Sequence, residues 1–242
     1  MALAHFCTRN DTVSGIKYDV IMFIGHYGLA FGVKKAAPRV SLGLLFIAAQ
    51  FADILWPFLL IFHVERYTVS PGITTVTPFE FTYYPFSHSL LMSIVWGALG
   101  ALLYWAVRRN LRDAVIIGLC VVSHWFLDLI VHIPDLPLFP GHSPKFGLGA
   151  WNSLALTLVL EGIVFIGGLY LYAKNTRAKK KVGKWGLVAL VALLVLVHLS
   201  NLVGPPPSAS LMAMFVSFNI FQLVVVLLAF WVDRNREPLL RQ

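Results

Sequence analysis

Long apolar stretches, separated by short polar ones, run along almost the whole of this chain. A helix needs roughly 20 mostly apolar residues to cross the hydrocarbon of a bilayer. Seven stretches approach that length: about 18–33, 40–62, 87–107, 113–133, 150–173, 185–203 and 211–232. The first is short and contains Gly25, His26 and Gly28. The others carry aromatic residues near their ends, such as Trp56, Trp105, Trp151 and Trp185, as expected where a ring bridges lipid and water. The pattern predicts an all-α polytopic transmembrane bundle of about seven spans, forming a single domain over residues 1–242.

Composition agrees. Of 242 residues, 58% are hydrophobic and 12% charged, with a mean hydropathy of +0.77. A soluble domain carries about twice that share of charge. The net charge of +8 would suit nucleic acid, but the basic residues sit in short loops between the apolar stretches and form no binding stripe. They also alternate. Lys34, Lys35 and Arg39 lie in the first loop and Arg108, Arg109 and Arg112 in the third. Lys174, Arg177, Lys179, Lys180, Lys181 and Lys184 lie in the fifth, and Arg234, Arg236 and Arg241 in the tail. The positive-inside rule places these segments in the cytoplasm, the N-terminus outside and the C-terminus inside. An odd number of spans is then required, and seven satisfies it. The expected location is the cell membrane, multi-pass, of a prokaryotic inner or plasma membrane. No cleaved signal peptide is expected, so the first span serves as the insertion signal. Cys7 and Cys120 lie far apart and predict neither a disulfide framework nor a thiolate metal site.

Ionisable residues inside a span are costly and usually face a cavity or a partner. They are His26, Asp53, His88, His124, Asp128, His132, Glu161 and His198. His124, Asp128 and His132 recur at i, i+4 and i+8, on one helix face. An imidazole and a carboxylate one turn apart can chelate a divalent metal; the plainer reading is a buried His–Asp hydrogen bond joining two turns. With the topology above, nearly all of these residues fall in the outer half of the membrane, which predicts one polar cluster opening outward. Glu161 reads equally as a protonated structural acid, a ligand or a general base. His198 reads as a helix–helix hydrogen-bonding residue, His63 and Glu65 as interface residues, and His5 and His142 as belonging to exposed segments. The loops at about 64–86 and 134–149 are rich in Pro, Gly and aromatic residues and are placed to fold over the outer mouth.

Four motifs together resemble the membrane-bound metal-dependent hydrolases of bacteria and archaea. Gly25-His26-Tyr27-Gly28 resembles the family's early His-Gly, and Ala52-Asp53-Ile54 stands where its Pro-Asp-x-Asp would be. Ser87-His88-Ser89-Leu90-Leu91 resembles its Thr/Ser-His-Ser-Leu, and His124 to Asp128 its His-x-x-x-Asp. The resemblance covers about residues 20–135, the expected metal-site core, with 136–242 as supporting helices. Two departures stand out: Leu55 replaces the family's second Asp, and Tyr83 and Tyr84 occupy the region of a further His. A family site holding two metals would therefore hold one here, or none.

The resemblance implies metal ligation by His26, Asp53, His88, His124 and Asp128, with Zn²⁺ the expected ion and Mn²⁺ an alternative. A carboxylate outside the ligand set, Glu161 or Glu80, is the expected general base. An outer-leaflet site favours a lipid or lipid-linked ester or phosphodiester, with membrane lipid as the partner and no nucleic acid. Two other readings use the same residues: a proton or metal-ion transporter or channel, or a non-catalytic membrane protein with a vestigial site. The first requires polar residues continuing to the cytoplasmic side, where segments such as Val40–Ala49 and Leu99–Val107 are apolar.

Overall fold

The computed structural model describes residues 24–203 and 210–239. Within them lie α1 (Ile24–Val33), α2 (Leu42–Ala49), α3 (Phe51–Ile61), the strands β1 (Arg66–Val69) and β2 (Phe79–Tyr83), and the short α4 (Pro85–His88). α5 (Leu90–Arg108) and α6 (Leu111–Val131) follow, then β3 (Leu136–Pro137), β4 (Lys145–Phe146) and a 3₁₀ turn (Ala150–Asn152). The chain continues through α7 (Leu154–Asn175), β5 (Thr176–Ala178), α8 (Lys181–Val203), α9 (Leu211–Arg234) and β6 (Arg236–Pro238).

Five helices, α5 to α9, are long and apolar enough to cross a membrane among the described residues. A sixth span is available if α2 and α3, bent by 54° at Gln50, are one broken crossing. The first of the seven expected spans is represented by the ten residues of α1, and its earlier part lies outside the described residues, as do His5 and Cys7. The helices present apolar residues outward. Leu103 is 69% exposed and Leu99, Leu102 and Val107 are at least half exposed on α5, a surface suited to lipid.

Small residues set the closest helix contacts. A Cβ on Gly28 of α1 would stand 2.7 Å from the Val164 carbonyl oxygen of α7, and one on Gly168 would stand 2.6 Å from the Gly28 carbonyl carbon. α5 and α6 meet in the same way at Gly97 and Gly118. Without a hydrophobic drive between helices in lipid, such close backbone approach supplies packing.

The two ends of the bundle differ. At one end Lys34 pairs with Asp233 at 2.6 Å, Arg112 donates to the Ala36 carbonyl, and β5 pairs antiparallel with β6. The first, third and fifth loops and the tail therefore gather at one end. At the other end β1–β2 and β3–β4 form two antiparallel hairpins. The amides of Thr75 and Val76 donate to the Trp151 carbonyl, fastening the 64–86 loop to the 3₁₀ turn before α7. Trp56, Phe79, Phe81, Tyr84, Trp125 and Trp151 build a separate aromatic core beneath these loops.

Candidate metal centre

Four helical segments each bring a polar side chain to one buried place. His26 comes from α1, Asp53 from the first turn of α3, and His88 ends α4. His124 and Asp128 stand one turn apart on α6. All five are buried, Asp53 the least so at 7% exposed. His124 Nε2 lies 3.1 Å from Asp128 Oδ2 and 3.7 Å from Asp53 Oδ1. His88 Nε2 lies 3.4 Å from Asp53 Oδ1 and 3.9 Å from Asp128 Oδ2, and His26 Nε2 lies 3.4 Å from Asp128 Oδ1. The His26 and His124 rings are 4.0 Å apart between centroids. All five side chains singled out in the sequence as metal ligands therefore meet.

The orientation of the imidazoles follows from their other contacts. The break at Gln50 leaves the Ala49 carbonyl to accept from His124 Nδ1 at 2.7 Å. Since Nδ1 must be the donor there, a neutral His124 turns a lone pair on Nε2 toward the carboxylates. Among the described residues that nitrogen makes no well-aligned hydrogen bond although Asp128 Oδ2 lies 3.1 Å away, and neither nitrogen of His26 makes one. Close approach without hydrogen-bond alignment is what side chains show when they point at a shared centre instead of at one another.

His88 is oriented by a chain of hydrogen bonds. After α3, His63 takes a left-handed conformation (φ 56°), and Glu65 turns back into the protein, 1% exposed. Glu65 Oε1 accepts from the amides of Phe86 and Ser87 at 2.7 and 2.8 Å, and Oε2 accepts from the Ser87 hydroxyl at 2.6 Å. A carboxylate only accepts, so the Ser87 proton goes to Glu65. Ser87 Oγ must then accept from His88 Nδ1, 2.7 Å away. In a neutral His88 this leaves the lone pair on Nε2, which faces Asp53 and Asp128. Burial pushes the Glu65 carboxyl up from its ordinary value, while the hydrogen bonds from Ser87 and Phe86 draw it down. Glu65 is thus no simple interface residue. Its partners lie more than twenty residues on, beyond the reach of local spacing.

The other candidates stand elsewhere. His132 caps α6 and turns from the shared centre to Asp135 (2.9 Å) and the Tyr84 hydroxyl (3.4 Å). Glu161, fully buried on α7, faces His198 Nδ1 of α8 at 3.6 Å. Glu80 lies on β2, where its carboxylate accepts from the hydroxyls of Thr68 and Ser70. Neither Glu161 nor Glu80 belongs to the groups that converge on a common centre. His63 and His142 are exposed. Cys120 is buried in α6 with a free thiol.

The donor set fits a divalent cation. Two overlapping triads, His26–His124–Asp128 and Asp53–His88–His124, each bring their ligand atoms within 4.8 Å of one another. They share His124, whose Nδ1 is already committed to Ala49, so one nitrogen is left for one ion. The ion pairs of Asp53 and Asp128 among the described residues are all with histidines. Two buried carboxylates facing imidazole lone pairs need positive charge between them, from protons on the rings or from a metal. Neutral imidazoles with carboxylates are the ligands that Zn²⁺ takes. No family model, curated protein or solved structure matches this chain.

Proposed function

We propose that this protein is a membrane-embedded metal-dependent hydrolase acting on a lipid or lipid-linked ester or phosphodiester from the extracytoplasmic side. One observation carries the reading. His88 and His124 have their Nδ1 atoms occupied by Ser87 and by the Ala49 carbonyl, and both turn Nε2 toward the same two buried aspartates. The order of the four motifs, with their resemblance to the membrane-bound hydrolases, adds to it.

A bound Zn²⁺ or Mn²⁺ would supply Lewis-acid activation of water and of the scissile carbonyl or phosphoryl group. The protein's own groups do the rest. His26, His88, His124 and Asp128 would hold the ion, and the Nδ1 contacts with Ser87 and the Ala49 carbonyl keep the His88 and His124 rings from turning. Asp53 presents Oδ1 to His88 and His124, which leaves Oδ2 outside those contacts. That second oxygen would take a proton from the attacking water. The aromatic core beneath the hairpins packs against the cluster, with Trp56 6.5 Å from the His88 ring between centroids.

A transporter would need a polar path to the basic end. Between the cluster and the Lys34–Asp233 pair lie buried apolar residues, among them Phe31, Leu45 and Phe46, so this reading has less support. The test is metal analysis of the purified protein, with hydrolysis of lipid-linked esters and phosphodiesters measured on the same sample. About one ion per chain and metal-dependent turnover are expected. A protein that neither retains nor binds Zn²⁺ or Mn²⁺ would rule the mechanism out.

A further inference from the structure

An open groove of about 660 Å³ runs between α2, α5 and α6. Its two ends differ chemically. Arg39, Ser41, Tyr104 and Arg108 line the end at the basic loops, and apolar residues line the rest, up to Phe51 and Trp96. Neither Arg39 nor Arg108 makes an ion pair among the described residues. The acid side chains nearby are already engaged: Asp113 with Asn110, and Asp233 with Lys34 and Tyr172. Two uncompensated guanidinium groups therefore stand at the mouth of an apolar slot.

The dimensions suit one occupant. Trp96 and Arg108 mark the two ends along α5, and the helical rise between them comes to about 18 Å. One leaflet of hydrocarbon is about 15 Å deep. At Gly100, on the groove wall, an added Cβ would meet nothing within 4 Å, so the slot is open where a side chain would narrow it.

We propose that this groove is a binding site for one anionic phospholipid of the leaflet at the basic end. Arg39 and Arg108 hold its phosphate, Tyr104 and Ser41 border the headgroup, and one acyl chain lies along α5 toward Phe51 and Trp96. The guanidinium pair distinguishes the site from the general lipid-facing surface, because a zwitterionic lipid offers it no net charge. Phe51 packs on Trp96 with centroids 5.7 Å apart, and the next residues along α3 lead to Asp53. The chain end of the lipid thus abuts the helix that carries one member of the polar cluster.

The experiment is native mass spectrometry of the full-length protein, extracted with an equimolar mixture of phosphatidylglycerol and phosphatidylcholine. Attraction from two basic side chains near the surface predicts a preference for phosphatidylglycerol of roughly tenfold or more. The double variant Arg39→Gln/Arg108→Gln is expected to bind both lipids equally. Gly100→Phe, which fills the slot without meeting other atoms at its Cβ, is expected to lose the bound lipid of either kind. Equal retention of both lipids by the wild-type protein would overturn the proposal, as would an undiminished preference in the double variant. So would a change in oligomeric state with Gly100→Phe, which would assign the groove to a second copy of the chain. The readout needs neither metal nor turnover, so it stands or falls apart from the hydrolase reading.

Discussion

Glu65 reaches His88 through a single hydroxyl: Ser87 Oγ lies 2.6 Å from Glu65 Oε2 and 2.7 Å from His88 Nδ1. The carboxylate decides where the Ser87 proton goes, and that decides which nitrogen of His88 carries the lone pair. Partners of this kind set the orientation and basicity of metal-binding histidines. Glu65→Gln keeps an acceptor for the two backbone amides but replaces the second with an N–H donor. Ser87 then turns its proton toward His88 Nδ1 or the more distant Tyr84 carbonyl (3.4 Å). The expected result is a 10- to 100-fold loss of Zn²⁺ affinity with the helical circular dichroism unchanged. Ser87→Ala, which frees the ring without reversing it, is expected to lose less. Wild-type affinity in Glu65→Gln would show that this chain of hydrogen bonds serves folding alone.

Metal binding itself is tested on Asp128, which approaches His26, His88 and His124. Asp128→Asn retains the shape and removes the charge. Zn²⁺ at about 100 times its dissociation constant stabilises a folded protein by about 2.7 kcal/mol. A rise in melting temperature on adding Zn²⁺ is expected for the wild type and not for Asp128→Asn. An equal rise in both would show that the ion binds elsewhere.

Two adjacent glycines on α7 test how tightly α1 is held. Gly168→Ala would place a methyl 2.6 Å from the Gly28 carbonyl carbon, whereas Gly167→Ala would meet nothing within 4 Å. Overpacking typically costs about 1–3 kcal/mol. Gly168→Ala is expected to lower the melting temperature in detergent by several degrees. It should also weaken Zn²⁺ binding, since His26 lies half a turn from Gly28 on the displaced helix. Gly167→Ala should be neutral or slightly stabilising through helix propensity. Similar behaviour of the two variants would contradict the α1–α7 packing.

Glu80 lies in the β1–β2 hairpin, where Thr68 and Ser70 donate to it. Glu80→Gln is expected to leave Zn²⁺ affinity within about twofold of wild type, because surface substitutions away from a site change little. A tenfold fall in isothermal titration would show that the hairpin reaches the cluster when metal is bound.

His124 and Asp128 were legible together because helix geometry alone puts i and i+4 on one face. The same rule extended to His132 misled, because α6 ends there and the terminal residue swings to Asp135 and Tyr84. Glu161 could not be placed from its own helix, since its partner His198 comes from the next one. Glu65 was passed over because nothing in its neighbourhood in the sequence shows that it turns inward. The left-handed turn at His63 does that.

The sequence by itself determined the helical, strongly apolar character of this protein, the presence of helices long and apolar enough to cross a membrane, and the polar residues worth watching. Each follows from local composition, because lipid rejects charge wherever a charge falls within an apolar stretch. Only the tertiary structure decided which of those residues meet, and which imidazole nitrogen each turns to the centre. Those outcomes depend on the break at Gln50, the return of Glu65 and the contact between Gly28 and Gly168. All three are contacts between segments distant in the chain, where no local periodicity reaches.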